Sequence, residues 1–141
     1  IICHASDSVH QDPGDVKYVF DANVIDISSG AKSNLPGDAK IAVSALSLVE
    51  IAAPNHMSLS EAEDFIASLN VSELIPVTNQ VARLAVELRK VQNLDALDAC
   101  IGATACLMNA TLVTNDQRLR RHPVLSTLPF PIPQHLEGET P

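Results

Sequence analysis

Short apolar runs alternate with longer stretches of helical period along most of the chain. Tyr18-Val19-Phe20 reads as a short strand. KIAVS, Lys40 to Ser44, reads as a second, apolar enough to be buried on both faces. Ser44 can cap the helix predicted for ALSLVEIAA, which Pro54 ends. SLSEAEDFIASLN opens with overlapping capping boxes, Ser58 to Glu61 and Ser60 to Glu63, and predicts a helix to about Asn70. SELIPV predicts a strand. In NQVARLAVELRKVQ, residues Val81, Leu84, Ala85, Leu88 and Val91 fall on one helical stripe. NLDALDACIGATACLMN predicts another helix, whose Ala99, Gly102, Ala103 and Cys106 form a small-residue face that lets a neighbour approach closely. ATLVTND ends a strand on polar residues, as YVFDAN does. Pro129, Pro131 and Pro133 mark the tail as an edge strand or extended chain.

Strands alternating with helices predict an α/β fold with a parallel sheet. In open sheets of this kind ligands bind beyond the carboxyl ends of the strands, where Asp21 and Asp116 sit. Residues 1–17, opening IICHASDSVHQDPGD, read as an arm or fragment edge, and residues 18–141 as one domain. The 141 residues are 46% hydrophobic and 18% charged, which suits a single folded core. No apolar run approaches the ~20 residues a membrane span needs, so no membrane partner is expected. Three cysteines, an odd number without metal-ligand spacing, suit a reducing cytoplasm. Five scattered histidines offer no zinc site, and one Tyr, three Phe and no Trp offer no platform for stacking bases. A net charge of −8 argues against a broad nucleic-acid surface. It leaves room for a cation-filled acidic site or a basic protein partner.

Four acids stand out, and each has an ordinary reading beside a functional one. Asp21 ends a buried strand, as a helix cap or as a site residue. Glu50 lies among apolar neighbours inside a helix, on an exposed face or paired. Asp98 falls on the third residue of a helix that Asp95 could cap, a position the helix dipole favours. Asp116 lies in an Asn-Asp turn pair, or at the end of a second strand. Several carboxylates converging in one cleft repel one another unless a cation joins them. Oxygen ligands without His or Cys suit Mg2+ or Mn2+ and metal-assisted phosphoryl chemistry. There is no Gly-rich phosphate loop with a Lys, no G-x-S-x-G and no paired Cys and His motif. FDANVID is also similar to the aspartyl-nucleophile phosphatases, but Asn23 stands where they carry their second Asp.

Together these segments resemble the PIN-domain ribonucleases, and among them the VapC-like toxins of toxin–antitoxin modules, over roughly Tyr18 to Pro133. VFDANVID looks like the opening strand and first acid, IAVSALSLVEIA like the segment bearing the Glu. LDACIGATACLMNATLVTND is similar to the third and fourth acidic segments. The resemblance implies a three-layer α/β/α fold around a mostly parallel sheet of about five strands. It implies Asp21, Glu50, Asp98 and Asp116 as the catalytic, metal-binding cluster. Asp21 and Asp98 would ligate the ion, Asp116 would do so directly or through water, and Glu50 would hold a water or a second ion. Asn23 and Thr114 would orient the carboxylates by hydrogen bonds. It also implies an RNA substrate, an antitoxin partner, a homodimer, and hydrolysis leaving 5′-phosphate and 3′-hydroxyl ends.

Two departures bear on substrate. About seventeen residues precede the first strand, and Arg118, Arg120 and Arg121 with Leu119 stand where an aromatic is common. The three arginines with His122 could form a rim that positions RNA phosphates. A different class of reading is a catalytically inert PIN-like module that binds a protein, its acidic pocket accepting an Arg from the partner. A small phosphatase is a third. Metal-dependent RNA cleavage separates the first two, and turnover of a phosphomonoester marks the last.

Overall fold

The structure is a computed structural model and describes residues 17–25, 40–69, 73–130 and 132. The chain before Lys17, all of the predicted arm but its last residue, lies outside the described residues, as do Asn70, Pro131 and Pro133; Lys17 itself belongs to the first strand. Five strands form one sheet: β1 (Lys17–Phe20), β2 (Lys40–Ser44), β3 (Glu73–Ile75), β4 (Thr111–Val113) and β5 (Thr127–Leu128). Their order is β3-β2-β1-β4-β5, and every adjacent pair is parallel. Among the described residues the helices are α1 (Ala45–Ala52), α2 (Leu59–Ala67), α3 (Asn79–Val91), α4 (Ala96–Leu107) and α5 (Gln117–Arg120), with one 3-10 turn at Ala22–Val24.

The pleat divides the core into two layers. Val19 pairs in register with Ala42 on one side and Leu112 on the other. That row packs against Val81, Ala85 and Leu88 of α3 and Ala99, Ile101 and Ala103 of α4. The next residue along each strand points to the opposite face. There Val43 meets Leu48 and Ile51 of α1 and Ala62 and Ile66 of α2, with Phe20 against them. Val113 joins Val24 and Ile132 beside it. Helices on both faces of a five-stranded parallel sheet give the three-layer α/β/α architecture that the sequence predicts.

Local signals act where their chemistry dictates. Ser44, the last residue of β2, accepts from Leu46 N at 3.1 Å and starts α1. Ser58 and Glu61 form a complete capping box on α2. The second box, Ser60 to Glu63, does not start a helix, because Ser60 already lies within α2, which ends at Ala67. SELIPV yields only Glu73–Ile75, since Pro76 cannot donate to the ladder. On α3 the buried stripe is Val81, Ala85 and Leu88; Val91, placed on it from spacing, is 46% exposed at the helix end. The small-residue face of α4 is used as expected: a Cβ on Gly102 would stand 3.0 Å from Leu125 Cδ1. The sequence did not predict α5, and β5 begins two residues before the first of the tail prolines.

The topology places the site. From β1 the chain steps outward through β2 and β3, then crosses back to lay β4 and β5 on the other side. The strand order therefore reverses between β1 and β4. In open parallel sheets the ligand crevice forms at such a switch point, outside the carboxyl ends of the strands. The residues there are Asp21 after β1 and Thr114, Asn115 and Asp116 after β4.

Candidate active site

Asp21 continues the sheet by donating its N–H to Val113 O at 3.0 Å. Its carboxylate is 4% exposed and accepts two hydrogen bonds, from Ala22 N at 2.8 Å and Thr114 Oγ1 at 2.7 Å. It thus caps the 3-10 turn with one oxygen and faces β4 with the other. Thr114 Oγ1 also accepts from Asp116 N at 3.0 Å and Asn23 Nδ2 at 3.4 Å. Asn115 N in turn donates to Asn23 Oδ1 at 3.3 Å. A single hydroxyl and a single amide therefore fasten the loop after β1 to the loop after β4.

The other acids arrive on helices. Asp116 accepts from Arg118 N at 2.8 Å and Leu119 N at 3.4 Å, so it caps α5. Asp95 accepts from Asp98 N at 2.8 Å and caps α4, which leaves the Asp98 carboxylate in the first turn. Glu50 is half-buried on α1, and its Oε1 is buried with no hydrogen-bond partner in the protein.

These groups lie close enough to affect one another's ionisation. Burial raises the Asp21 pKa, its bonds to Thr114 and Ala22 oppose the rise, and Asp116 and Asp95 add to it. Burial, then Asp21 and Asp95, raise Glu50. Asp98 is pushed up to about 7, by burial first and then by Asp95, Asp116, Asp21 and Glu50. Asp98 thus lies within the fields of the other three predicted acids, Asp21, Glu50 and Asp116. Asp95 is a fifth that sequence reasoning took only as a cap. Its place three residues before Asp98 on the same helix was the available signal.

A family model described as PIN domain matches residues 18–125. The chain belongs to the PIN domain family. Solved structures share this PIN architecture. A chain of VapBC2 from Rickettsia felis, bound to a DNA fragment from its promoter, superposes with a TM-score of 0.64 at 22% identity, covering 81% of this chain and 98% of that one. A toxin–antitoxin complex from Klebsiella pneumoniae gives 0.61 at 24% identity, covering 79% and 95%. FitAcB from Neisseria gonorrhoeae gives 0.58 at 19% identity, covering 78% and 95%. At such identities the likeness shows the fold. No curated protein matches the sequence.

The donor set of this PIN domain fits a hard divalent cation. Among the described residues no three Asp, Glu, His or Cys side chains enclose an ion by themselves. Mg2+ does not require that, since it keeps several waters and binds through one or two carboxylates plus substrate phosphate. A cation would relieve both the unpartnered Glu50 Oε1 and the charge crowding at Asp98.

The basic cluster lies beside the acids. Leu119 is buried and pins α5 inward, while Arg118, Arg120 and Arg121 are exposed. At 100° per residue the three fan out over the face opposite Leu119. His122 does not belong to that rim. It is 2% exposed, with Nε2 2.9 Å from Leu88 O and Nδ1 3.2 Å from Val124 N. Those partners suit a neutral ring that donates from Nε2 and accepts at Nδ1. Cys100 is half-buried and carries a free thiol. No helix among the described residues is long and apolar enough to cross a membrane.

Proposed function

We propose that this PIN domain is a metal-dependent endoribonuclease, the toxin of a toxin–antitoxin pair, using Mg2+ or Mn2+. One observation carries the reading: carboxylates from two strand ends and two helices meet at the sheet's switch point, crowded enough to push Asp98 up to about 7. Such crowding opposes folding and is sensible where a cation is to be held.

The ion, when bound, neutralises the acids and the scissile phosphate and lowers the pKa of a water for in-line attack on phosphorus. The chain's own groups do the rest. Asp21 and Asp98 would hold the ion, Asp116 would join them directly or through water, and Glu50 would hold a water or a second ion. Thr114 and Asn23 fix the Asp21 carboxylate and the loop that carries Asp116. Arg118, Arg120 and Arg121 hold RNA phosphates at the rim. The likeness to a toxin–antitoxin complex from Klebsiella pneumoniae and to VapBC2 from Rickettsia felis supports an antitoxin partner. A homodimer and a cytoplasmic location complete the proposal.

The test is cleavage of a structured RNA in Mg2+ or Mn2+. Asp21→Asn should lower the rate at least ~100-fold, the scale of losing a main electrostatic group, with Asp98→Asn as a second probe. Undiminished cleavage in Asp21→Asn, or in excess EDTA, would sink the reading. A parent that leaves RNA intact yet binds an antitoxin through its acidic pocket would be the inert module instead.

A further inference from the structure

The hydroxyl of Ser47 is a buried polar group without a partner. Ser47 is 0% exposed, and its Oγ makes no hydrogen bond in the protein. A serine inside a helix ordinarily relieves this by bonding the carbonyl one turn back. This protein does so elsewhere: buried Thr104 in α4 donates to Cys100 O at 2.8 Å. Ser47 does not. An unsatisfied buried hydroxyl is costly, so such a group calls for an explanation.

Its position supplies one. Ser47 and Glu50 stand three residues apart on α1, hence on one face, and Glu50 Oε1 is the other buried side-chain atom without a partner among the described residues. Ser47 lies in the first turn of α1, which starts from Ser44 at the end of β2. The β1–β2 register, carried two residues beyond Val19 and Ala42, sets Asp21 beside Ser44. The Ser47–Glu50 face therefore rises from the level of Asp21, whose field reaches Glu50. A hydroxyl that can donate and a carboxylate oxygen that can accept are complementary to a single water. A buried water needs two to four polar partners, and these two supply the minimum.

We propose that Ser47 is a positioning residue of the acidic site: Ser47 Oγ and Glu50 Oε1 share one buried ordered water, which holds the Glu50 carboxylate in place for the divalent ion. This rests on the metal-dependent reading above. Ser47 itself touches neither ion nor substrate; it acts through Glu50.

The experiment is Mn2+ binding to the full chain, followed by electron paramagnetic resonance titration, with thermal unfolding in EDTA alongside. Ser47→Ala should bind Mn2+ about ten- to a hundredfold more weakly, the range for losing a group that orients a ligand. Its melting temperature in EDTA should not rise. Ser47→Thr, which keeps the hydroxyl, should retain the affinity. In a Glu50→Gln background Ser47→Ala should cost nothing more, because the two act as one unit. A Ser47→Ala protein that binds Mn2+ as the parent does and melts higher in EDTA overturns the proposal, leaving Ser47 a dry, unpaired hydroxyl. Equal further loss in the Glu50→Gln background also overturns it, because Ser47 then does not act through Glu50. A parent that binds no Mn2+ removes the metal-dependent reading, and the proposal with it.

Discussion

At Asp98, burial and four neighbouring carboxylates all act against ionisation, and together they hold its pKa at about 7. The unfolded chain has no such neighbours, so its Asp98 titrates near the ordinary value of about 3.9. A folded pKa above the unfolded one means that the folded state binds the proton more tightly. The associated stability is fully present below about pH 4 and is lost as pH rises towards 7. We therefore expect metal-free protein to lose stability between these limits through this group. The loss should be roughly 1 kcal/mol once solvent screening of a half-exposed carboxylate is allowed for. Asp98→Asn in EDTA at pH 8 should be neutral or stabilising by a similar amount. Chemical denaturation of parent and variant at pH 5 and pH 8 checks both. A variant that is less stable than the parent at pH 8 would make Asp98 a structural residue. Asp95 supplies the contrast, because its cap bond to Asp98 N is structural: Asp95→Ala should cost ~0.5–2 kcal/mol with or without metal.

At the scale of an element, α5 has four residues and cannot form a stable helix alone. It is held from outside. Asp116 caps its start, Leu119 anchors its middle, Gln92 Nε2 donates to Arg118 O at 2.7 Å, and His122 joins its far end to Leu88 O. His122→Ala leaves Val124 N without its partner and removes one of the two donors to Leu88 O, so it should destabilise by about 1–3 kcal/mol, measured by denaturant unfolding. The arginines carry no such load. Converting Arg118, Arg120 and Arg121 to Ala should leave stability within about 0.5 kcal/mol. If they hold phosphates, the same variant should flatten the salt slope of single-stranded RNA binding by ~0.7 for each phosphate no longer neutralised, about two units for all three. An unchanged slope would reduce the cluster to a solvated turn.

Across the whole molecule, acids drawn from β1, α1, α4 and the loop after β4 are held together by the packing of both helical layers on the sheet. A cation at that edge therefore reports on the entire fold. At a hundredfold excess over its dissociation constant, Mg2+ should stabilise the parent by about 2.7 kcal/mol through mass action. Asp21→Asn and Asp98→Asn should each gain much less. Calorimetric melting in EDTA and in Mg2+ makes the comparison, and an equal gain in all three proteins would move the ion away from this edge. The net charge of −8 fits the same picture, with the acids partly gathered at this sheet edge and Arg118, Arg120 and Arg121 exposed on and just after α5.

The sequence by itself determined what is local. Period specified β2, α1 and α3 almost to the residue, and Ser44 accepts the helix-starting N–H group of α1 that its position suggests. Asp95 and Asp98 were legible as cap and third residue for the same reason. The sequence also placed Asp21 and Asp116 at strand ends, and the resemblance joined Glu50 and Asp98 to them. Tertiary structure decided what depends on neighbours distant in sequence. His122, grouped with the three arginines from the sequence, became a buried link between α3 and the segment after α5, because Leu88 O and Val124 N surround it. Asp95 became part of the acidic field because the start of α4 is drawn to the ends of β1 and β4. α5 is fastened by Gln92 at the end of α3, by its Asp116 cap and by buried Leu119, and β5 forms by pairing with β4. Burial and charge proximity are sums over the folded chain, so the pKa of Asp98 and the unpartnered oxygens of Ser47 and Glu50 could be read from no stretch of sequence.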